Sequence, residues 1–466
     1  MKREIFANLS PLDHRYSVDE DKLWSELSNY LSEEAGIRYL LKVEAALAKA
    51  LAALQVAPAT SAREIEEACL QVTPDEVLAE EAKTRHNIRA LVNCIQAKVT
   101  PEARPWVHFT ATSADIMDTA NAARFKEFTN KVFLPELKNL LATMIQLALE
   151  NKDTLQVGRT HGQYAVPITF GYVISGYVER LGTAYQRIDQ AAQDLRGKMA
   201  GAVGAYNASS LVVSDPLELE ALVMQELGLK ASPFATQIVE PEYILHLMHE
   251  YVTCLGILAN FADDMRHLQR SEIKEVGEFF APNQVGSSTM PHKRNPWNYE
   301  HVKSLWKTFM PRIITVYMDQ ISEHQRDLSN SASSRFLAEL AAGTTLALRR
   351  INKVTAKLSV HHESMQANFA EAAKMIVAEP LYILLASAGH PDAHEAVRLI
   401  TLEAENTRQP VAELAKKHSE LAPYIQKLSP SQLAVLEDPG LYIGQASRKT
   451  ELICRKWTME LFEGSR

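Results

Sequence analysis

Residues that break helices are scarce in this chain, and this scarcity is the strongest constraint on its fold. Among 466 residues there are 18 glycines and 20 prolines. The range 242–281 holds no proline and two glycines, and the range 312–379 holds no proline and one glycine. A helix of about 30 residues is about 45 Å long, and packing against similar helices is what buries it. We therefore predict an all-α fold with a central bundle of long helices. The alternative is a set of ordinary helices joined by turns that lack breakers.

The spacing of the breakers also divides the chain into three predicted domains. Within the first domain, hydrophobic periodicity predicts helices over 20–54, 61–71 and 81–99. A cap at Thr60-Ser61 is expected to begin the second of these helices. The domains are an N-terminal helical domain, a central long-helix bundle and a C-terminal helical domain, at 1–105, 106–360 and 361–466.

Composition and charge exclude several classes of protein. Hydrophobic residues make up 46% of the chain, too many for a disordered protein, and the formal net charge of −8 gives no general attraction to nucleic acid or anionic membranes. The N-terminus has no apolar leader and no run of 18 apolar residues occurs, so we predict a cytoplasmic protein that spans no membrane. The four cysteines are far apart and form no CxxC pair, which argues against a zinc site or a disulfide framework and fits a reducing compartment: Cys69, Cys94, Cys254 and Cys454.

The segment GSSTMPHKRNP at 286–296 is the most unusual in the sequence. It combines a permissive glycine with two serines and sets Lys, Arg and Asn between two prolines, which stiffen the backbone and fix where the polar groups point. Such a loop offers hydroxyl, ammonium, amide and backbone N–H groups to one anion. The alternative is a surface linker between helices.

Two further segments have residue types that suit an active site. GRTHGQ at 158–163 flanks His161 with glycines, and an imidazole there can transfer protons near neutral pH, although a lone histidine is more often structural. HFTATSAD at 108–115 places Thr112 and Asp115 as a capping box that begins a helix. The N–H groups of a helix N-terminus suit carboxylates, and plain capping is the alternative.

Arginines bracket hydroxyl side chains in the segment RDLSNSASSR at 326–335. Guanidinium groups beside hydroxyls suit phosphate, and a solvated polar stretch is an equal alternative. Arg15-Tyr16 and TRHN at 84–87 are smaller polar groups, and 84–87 is predicted to begin or cross a helix. Each of these two would be read as ordinary surface if it stood alone.

Taken together, these segments resemble the fumarase/aspartase superfamily and, within it, the adenylosuccinate lyase family. GSSTMPHKRNP resembles the signature loop of the superfamily. GRTHGQ, TATSAD and the GAVG segment at 201–204 resemble further family blocks in the expected order. The adenylosuccinate lyases are indicated by the arm SPLDHRY at 10–16, by the RHN group at 85–87 and by RDLSNSASSR. The resemblance covers essentially the whole chain.

This resemblance implies a β-elimination that releases fumarate. The substrates would be adenylosuccinate, giving AMP, and the succinyl-carboxamide ribotide of purine synthesis (SAICAR), giving AICAR. Ser287 would be the general base that removes the Cβ proton, and His161 the general acid that protonates the leaving nitrogen. Lys293 and Asn295 would stabilise the aci-carboxylate that develops, and His86 would pair with the catalytic histidine or touch the phosphate.

The resemblance also implies substrate-binding roles, and it implies no metal or organic cofactor. Thr112 and Ser113 would bind the succinyl part. Two further sets would hold the phosphate and ribose and complete the pocket. The first set is Arg15, Tyr16, Ser331 and Arg335, and the second, together with His86, is Arg85, Asn87, Gln237 and Arg326.

Three positions depart from the family pattern. Asn87 stands where many relatives have an acid, Gln325 where a Glu is common, and Tyr164 where a small residue or His is usual. None of these positions is the proposed acid or base. They bear on fine substrate preference.

The family fold is three helical domains whose central bundle assembles as a homotetramer, with active sites where three subunits meet. We therefore expect a homotetramer that binds a small anionic nucleotide and neither nucleic acid nor membrane. The first alternative is another superfamily lyase or a cycloisomerase such as 3-carboxymuconate cycloisomerase, against which His161 and the phosphate-type segments argue. The others are a non-catalytic structural relative and a helical scaffold. Ser287, His161 and Lys293 argue against the former, and the signature loop against the latter.

Overall fold

The computed structural model describes residues 7–18, 21–280 and 289–464, and most of them lie in α-helices. The helices of the first half are α1 Arg15–Val18, α2 Asp21–Leu31, α3 Glu33–Ala53, α4 Ala59–Gln71, α5 Pro74–Thr84, α6 Asn87–Gln96, α7 Ser113–Phe128, α8 Leu134–Glu150, α9 Phe170–Gln193 and α10 Pro216–Glu226. Those of the second half are α11 Glu242–Leu268, α12 Trp297–Phe309, α13 Arg312–Met318, α14 Leu337–Thr355, α15 His362–Ile376, α16 Ala378–Ser387, α17 Ala393–Thr407, α18 Val411–Lys417, α19 Ala422–Ile425, α20 Pro430–Glu437 and α21 Ala446–Thr458.

The strands in the described part of the chain are short and pair two by two. The antiparallel pairs are β1 with β2 and β5 with β6, and β3 pairs with β4 in parallel. Only β1 and β2 are longer than two residues, so the all-α prediction is confirmed with one hairpin added. The strands are β1 Leu155–Thr160, β2 Gln163–Thr169, β3 Arg196–Gly197, β4 Lys230–Ala231, β5 Val276–Gly277 and β6 Ser359–Val360.

The fold consists of two compact units, each drawn from three stretches of the chain. The first unit is built around α3, which packs on α4, α7 and α10 and buries Leu47 and Leu51 completely. In the second unit the β1–β2 hairpin packs on α15, and α16 to α20 enclose a separate apolar cluster that includes Leu381 and Leu385. The units are Met1–Leu137, Ala184–Gly256 and Leu305–Leu348 for the first, and Lys138–Thr183, Ile257–Ser304 and Arg349–Arg466 for the second. The division into three domains stays a prediction.

Long helices are present where breakers are few, with one correction. Ser113–Glu150 is a 38-residue helix formed by α7, a π-helical turn at Thr129–Phe133 and α8, and α11 has 27 residues. The expected freedom from breaks over 312–379 is wrong, because α13 ends at Met318 and α14 begins at Leu337. Between them Asp327 accepts hydrogen bonds from the N–H groups of Glu323 and Ser329, both at 2.9 Å, and such side-chain bonds compete with helix formation.

Two of the three helices expected in the N-terminal region are each divided in two. Ser32 caps the start of α3, where its hydroxyl accepts from the Ala35 N–H at 3.1 Å, so 20–54 is not one helix. Arg85 has a φ of 57°, a left-handed conformation that ends α5, so 81–99 is not one helix either. A polar residue that caps the next helix, or a single left-handed residue, can therefore separate two helices without glycine or proline.

The start predicted for α4 is also wrong. Its first helical residue is Ala59, and Pro58 occupies the cap position with extended backbone. Thr60 and Ser61 therefore lie within the first turn and do not cap it. Proline is tolerated at this position because the N–H group that it lacks would have no partner within the helix.

Two helices of the described residues are long and apolar enough to cross a membrane by length and composition. They are Ser113–Glu150 and α11, and their most apolar windows are 50% and 56% buried inside the fold. In α11, for example, Leu247, Met248 and Tyr251 are fully buried. Burial of this kind is typical of core helices, which pass the same test.

Candidate active site

His161 lies at the exposed tip of the hairpin formed by β1 and β2. Thr160 pairs with Gln163, so His161 and Gly162 are a two-residue turn, with φ values of 54° and 75°. Two central residues at positive φ are typical of a type I′ turn, which matches the twist of the flanking strands. The structure therefore presents the imidazole at the end of a short two-stranded arm, which sequence analysis did not predict.

The hairpin needs a glycine close to its tip. A Cβ atom at Gly158 would lie 2.6 Å from the main-chain oxygen of Val166 on the opposite strand. The pairing register shifts between Val157 and Arg159, where Gly158 on β1 lies opposite two residues of β2, Ala165 and Val166, in a β-bulge. Both glycines therefore serve the hairpin backbone: Gly158 allows the close approach of the strands, and Gly162 allows the positive φ of the turn.

Arg159 ties the hairpin to a buried carboxylate. Its Nη2 lies 2.7 Å from Glu275 Oε1 and its Nη1 lies 3.2 Å from Oε2, a two-pronged ion pair. The Glu275 side chain is fully buried and also accepts from the side-chain amides of Gln156 at 2.6 Å and Asn368 at 2.8 Å. A carboxylate that accepts four hydrogen bonds, two from one guanidinium and two from side-chain amides, is fully satisfied without water.

The TATSAD segment begins a helix, as predicted. Thr112 is the N-cap residue of α7, and its backbone N–H donates to Asp115 Oδ2 at 2.8 Å. Ser113 is the first helical residue, and both Thr112 and Ser113 are partly exposed. The segment thus presents two hydroxyl side chains at the positive end of a 16-residue helix.

Asp115 does more than cap this helix. It forms a completely buried ion pair with the ammonium group of Lys198. Its Oδ1 also accepts from the backbone N–H groups of Ala200 at 3.1 Å and Gly201 at 3.2 Å. One carboxylate therefore fixes the 201–204 segment against the start of α7.

A second buried carboxylate supports the 108–115 segment at its N-terminal end. His108 Nδ1 lies 2.7 Å from Oε1 of Glu44, which is 1% exposed. Burial by itself lowers the pKa of His108, and the hydrogen bond and charge of Glu44 reverse this, so the pKa is raised. His108 and Thr110 both have positive φ, at 59° and 67°, so this approach to α7 is a tight, held turn.

The group Arg85, His86 and Asn87 begins α6 and is exposed. His86 is the N-cap residue, and its Nδ1 accepts from the Arg89 N–H at 3.2 Å. Asn87 contacts α7 through a 3.5 Å hydrogen bond from its amide to Met117 Sδ. The segment 84–87 therefore joins two helices: Thr84 is the last residue of α5, and Asn87 is the first residue of α6.

Gln237 and Arg326 belong to two neighbouring loops of the first unit. The Gln237 N–H donates to the main-chain oxygen of Gln325 at 3.2 Å, and the Val239 N–H donates to Asp118 Oδ2 on α7 at 2.9 Å. Burial raises the pKa of Asp118 to about 6, although the Val239 N–H and the positive charges of Lys198 and Arg326 act in the opposite direction. A carboxylate that titrates close to neutral pH thus lies beside candidate residues.

The remaining candidates for phosphate and ribose are on short, polar elements. Ser331 and Arg335 are exposed, and Arg335 lies in a 3-10 helix at Ser333–Phe336. Arg15 is exposed on the four-residue α1, next to the partly exposed Tyr16. Four residues before Ser331, hydrogen bonds from Ser329 and Glu323 hold the pKa of Asp327 at about 2, so this carboxylate is ionised at any working pH.

The signature-like segment is described in part. Ser287 and Gly286 lie outside the described residues. Lys293 lies in a turn closed by its N–H, which donates to the Met290 carbonyl at 3.0 Å, and its side chain is exposed. Asn295 is partly buried just before α12 begins at Trp297.

Metal and thiol chemistry have little support in the described part of the chain. Within those residues, no group of three or more His, Cys, Asp or Glu side chains is arranged to hold a metal ion. Cys69, Cys254 and Cys454 are buried. Burial raises the pKa of Cys254 to about 12 and of Cys454 to about 11, so these thiols stay protonated.

Comparison with known proteins identifies the family. A family model described as lyase matches residues 14–308, and one described as adenylosuccinate lyase C-terminal matches residues 322–433. Adenylosuccinate lyase of Pyrococcus abyssi is 36% identical over 448 residues, which cover 95% of this chain and 96% of that protein. The enzyme of the same name from Pyrococcus horikoshii is 35% identical and covers 94% and 95%. The chain belongs to the adenylosuccinate lyase family.

The fold of this adenylosuccinate lyase family member extends across the wider superfamily. The crystal structure of 3-carboxy-cis,cis-muconate lactonizing enzyme from Pseudomonas putida is 25% identical, with a TM-score of 0.82 over 93% of this chain and 97% of that one. The sequence resemblance to the adenylosuccinate lyases and the all-α, fumarase-like fold are both confirmed.

The described candidate residues are distributed over both units of the adenylosuccinate lyase fold. In the first unit, contacts of α7 and neighbouring loops connect the segments of Asn87, Thr112, Gln237 and Arg326. In the second unit, the buried carboxylate of Glu275 holds the hairpin that carries His161, and Lys293 lies in a separate turn. By unit, the second holds His161, Lys293 and Asn295, and the first holds Arg15, Tyr16, Arg85, His86, Asn87, Thr112, Ser113, Gln237, Arg326, Ser331 and Arg335.

No local pattern in the sequence marks the residues that hold these candidates in place. Glu275 follows α11 without any recognisable motif, and its partner Arg159 is 116 positions away. Lys198 is likewise 83 positions from Asp115. The one local signal for the hairpin was Gly162, because a glycine between two short runs with β-branched residues favours a tight turn.

Proposed function

We propose that this protein cleaves adenylosuccinate to AMP and fumarate, and SAICAR to AICAR and fumarate. Full-length similarity to proteins named adenylosuccinate lyase carries this proposal. The match to the family's own C-terminal region over 322–433 adds to it, because that region includes Ser331 and Arg335. Both reactions belong to purine biosynthesis.

The proposed chemistry is a β-elimination in which Ser287 and His161 act on opposite ends of one bond. Ser287 takes the proton from Cβ, and the electron pair left on carbon forms the double bond of fumarate. The C–N bond breaks, and the nitrogen of the leaving nucleotide receives a proton from His161. The exposed imidazole at the hairpin tip supports this role, because a general acid has to reach the substrate.

Negative charge that builds on the succinyl carboxylate needs local stabilisation. In this proposal Lys293 and Asn295 supply it, and their cationic and amide groups also favour the alkoxide form of Ser287. His86 assists by contacting the catalytic histidine or the phosphate. The exposed ammonium group of Lys293 supports this assignment.

Substrate binding is assigned to the polar helix starts and loops of the first unit. Thr112 and Ser113 would bind the succinyl carboxylates, where the α7 N-terminus offers partial positive charge. Four arginines would meet the phosphate and complete the pocket, with hydroxyl and amide side chains beside them. The residues are Arg15, Tyr16, Ser331 and Arg335 for phosphate and ribose, and Arg85, Asn87, Gln237 and Arg326 for the rest.

The assembly is proposed to be a homotetramer in the cytoplasm, with active sites shared by three subunits and three helical domains per chain. The apolar side chains exposed on and after α13 support self-association, because a monomer would leave them in water. These are Ile314 at 59%, Met318 at 66% and Ile321 at 77% exposure. A nucleotide substrate and oligomeric assembly are also general in the family.

A lactonizing or cycloisomerase activity is the second candidate. The structural similarity to the muconate lactonizing enzyme favours it. Against it stand the higher identity to adenylosuccinate lyases, 36% against 25%, and the arginines at 326 and 335, which a substrate without phosphate would not need.

Turnover by the purified protein tests the proposal. Adenylosuccinate is added, and the loss of its absorbance is followed beside fumarate release, with 3-carboxymuconate as a parallel substrate. We expect turnover of adenylosuccinate and none of the muconate. The absence of adenylosuccinate turnover would overturn the proposal, and turnover of the muconate alone would establish the second candidate.

A further inference from the structure

We propose that Glu275 is the positioning residue for the general acid: it fixes the hairpin that carries His161 in the orientation needed for proton transfer. This inference rests on the proposed function, since it assigns Glu275 an effect through His161. It differs from the acid and base assignments because Glu275 itself is fully buried and has no access to a substrate.

The hairpin needs external support to hold a side chain precisely. An isolated two-stranded hairpin is only marginally stable in water, and His161 lies at its exposed tip. Away from the tip, Val157 packs in an apolar cluster with Phe369 and Ala372 of α15. That cluster fixes how far the hairpin lies from α15. Apolar contacts are less directional, so they only weakly constrain where the hairpin tip points.

Glu275 supplies the orientation. Arg159 is two residues before His161, and both of its terminal nitrogens bind the two oxygens of Glu275. A two-pronged pair of planar groups restricts rotation as well as distance, which a single contact does not. Gln156, at the other end of β1, donates to the same carboxylate at 2.6 Å. Two points on β1 are therefore bound to one group.

The carboxylate is itself held rigidly. The backbone N–H of Glu275 donates to the Leu268 carbonyl at the end of α11, and the main-chain carbonyl of Glu275 accepts from the His361 N–H, both at 2.9 Å. On α15, Asn368 donates to Oε1 and also to the Ile273 carbonyl, each at 2.8 Å. Glu275 thus links the hairpin to the end of α11 and to α15.

Two substitutions test the role. Glu275→Gln keeps the shape but places an NH₂ group against donors, and Arg159→Lys keeps the charge but loses the fork. We expect each to lower kcat by about 10- to 100-fold, as a small misplacement of a catalytic group does, with KM within about threefold. The solvent deuterium isotope effect on kcat should rise, because proton transfer from a misplaced acid becomes the slower step.

Glu179→Gln is the matched control. Glu179 also lies in the second unit and accepts from Lys456 at 2.8 Å and from Trp457 Nε1 at 2.7 Å, away from the hairpin. We expect its kcat and isotope effect to equal those of the wild type. A purely structural role for Glu275 would lower the thermal midpoint and the yield of folded enzyme, and would leave kcat per folded site and the isotope effect unchanged.

Hydrogen–deuterium exchange gives a readout that is independent of activity. We expect faster exchange at the backbone amides of 155–169 in Glu275→Gln than in the wild type or in Glu179→Gln. If Glu275→Gln does not fold, Arg159→Lys decides by the same measurements. An active wild type with unchanged kcat and isotope effect in the variants overturns the inference. If the wild type has no turnover, the proposed function has failed, and unchanged exchange over 155–169 would then overturn the part that concerns the hairpin.

Discussion

Two buried carboxylates, one in each unit, hold segments that carry candidate residues, and they do so with different partners. In the first unit Asp115 binds the ammonium group of Lys198 and the backbone N–H groups of residues 200 and 201. In the second unit Glu275 binds the fork of Arg159 and two side-chain amides. Asp115 fixes backbone around a helix N-terminus, whereas Glu275 fixes a strand that ends in one side chain.

The two arrangements suit different chemical tasks. Backbone held at a helix start presents N–H groups and hydroxyls, which suit the binding of anions. A hairpin held in orientation presents a single imidazole, which suits proton transfer. We therefore expect substitutions in the first unit to act mainly on KM or stability, and substitutions at the hairpin to act mainly on kcat.

The largest effect is expected from the proposed general acid and the proposed general base. His161→Ala and Ser287→Ala should each abolish turnover, with kcat lower by at least about 10² to 10⁴-fold, the usual contribution of a proton-transfer group. Steady-state kinetics and gel filtration measure this, and the oligomer should persist. His394→Ala, an exposed histidine on α17 of the second unit, is the control. Near-normal activity of Ser287→Ala would show the base assignment to be wrong.

The next effect concerns stability in the first unit. Asp115→Ala leaves the buried ammonium group of Lys198 without its partner, so we expect a loss of about 3–5 kcal/mol in the free energy of unfolding. Asp215→Ala removes an exposed N-cap of α10 and should cost about 1 kcal/mol. Urea titration of both variants measures the difference. Equal losses would mean that Asp115 only caps its helix.

A smaller effect is expected for phosphate binding. Arg335→Ala should raise KM by about 10- to 100-fold, because one charged hydrogen-bonding group is worth about 1.5–3 kcal/mol, with kcat within about threefold. Arg398→Ala is the control, since Arg398 pairs with Glu395 on the surface of α17. An unchanged KM would count against the phosphate role and against the expected contrast between the units.

The smallest effect concerns pH. Because burial raises the pKa of Asp118 to about 6, the carboxyl group ionises between about pH 4 and 6 only when the chain is unfolded. The contribution of Asp118 to stability therefore falls as pH rises through this range. Asp118→Asn keeps an acceptor for the Val239 N–H, so we expect it to be more stable than the wild type at pH 8 by about 1–3 kcal/mol and equal at pH 4. A difference that does not change with pH would contradict this.

The sequence predicted what depends on local pattern. The start of α7 at Thr112 followed from a capping motif, and the all-α fold followed from the scarcity of breakers. The breaks at Ser32 and Arg85 were missed because hydrophobic periodicity continues across them. The Glu275 and Lys198 contacts could not be predicted, since ion pairs between distant residues depend on the folded packing and leave no local spacing.

The amounts of product formed by the wild-type protein decide whether it carries out this β-elimination. Adenylosuccinate is incubated with purified protein, and AMP and fumarate are measured by proton NMR, beside a sample of the His161→Ala variant. We predict that AMP and fumarate appear in equal amounts with the wild type and that neither appears with the variant. Unchanged adenylosuccinate with the wild type, or AMP without fumarate, would contradict the proposal.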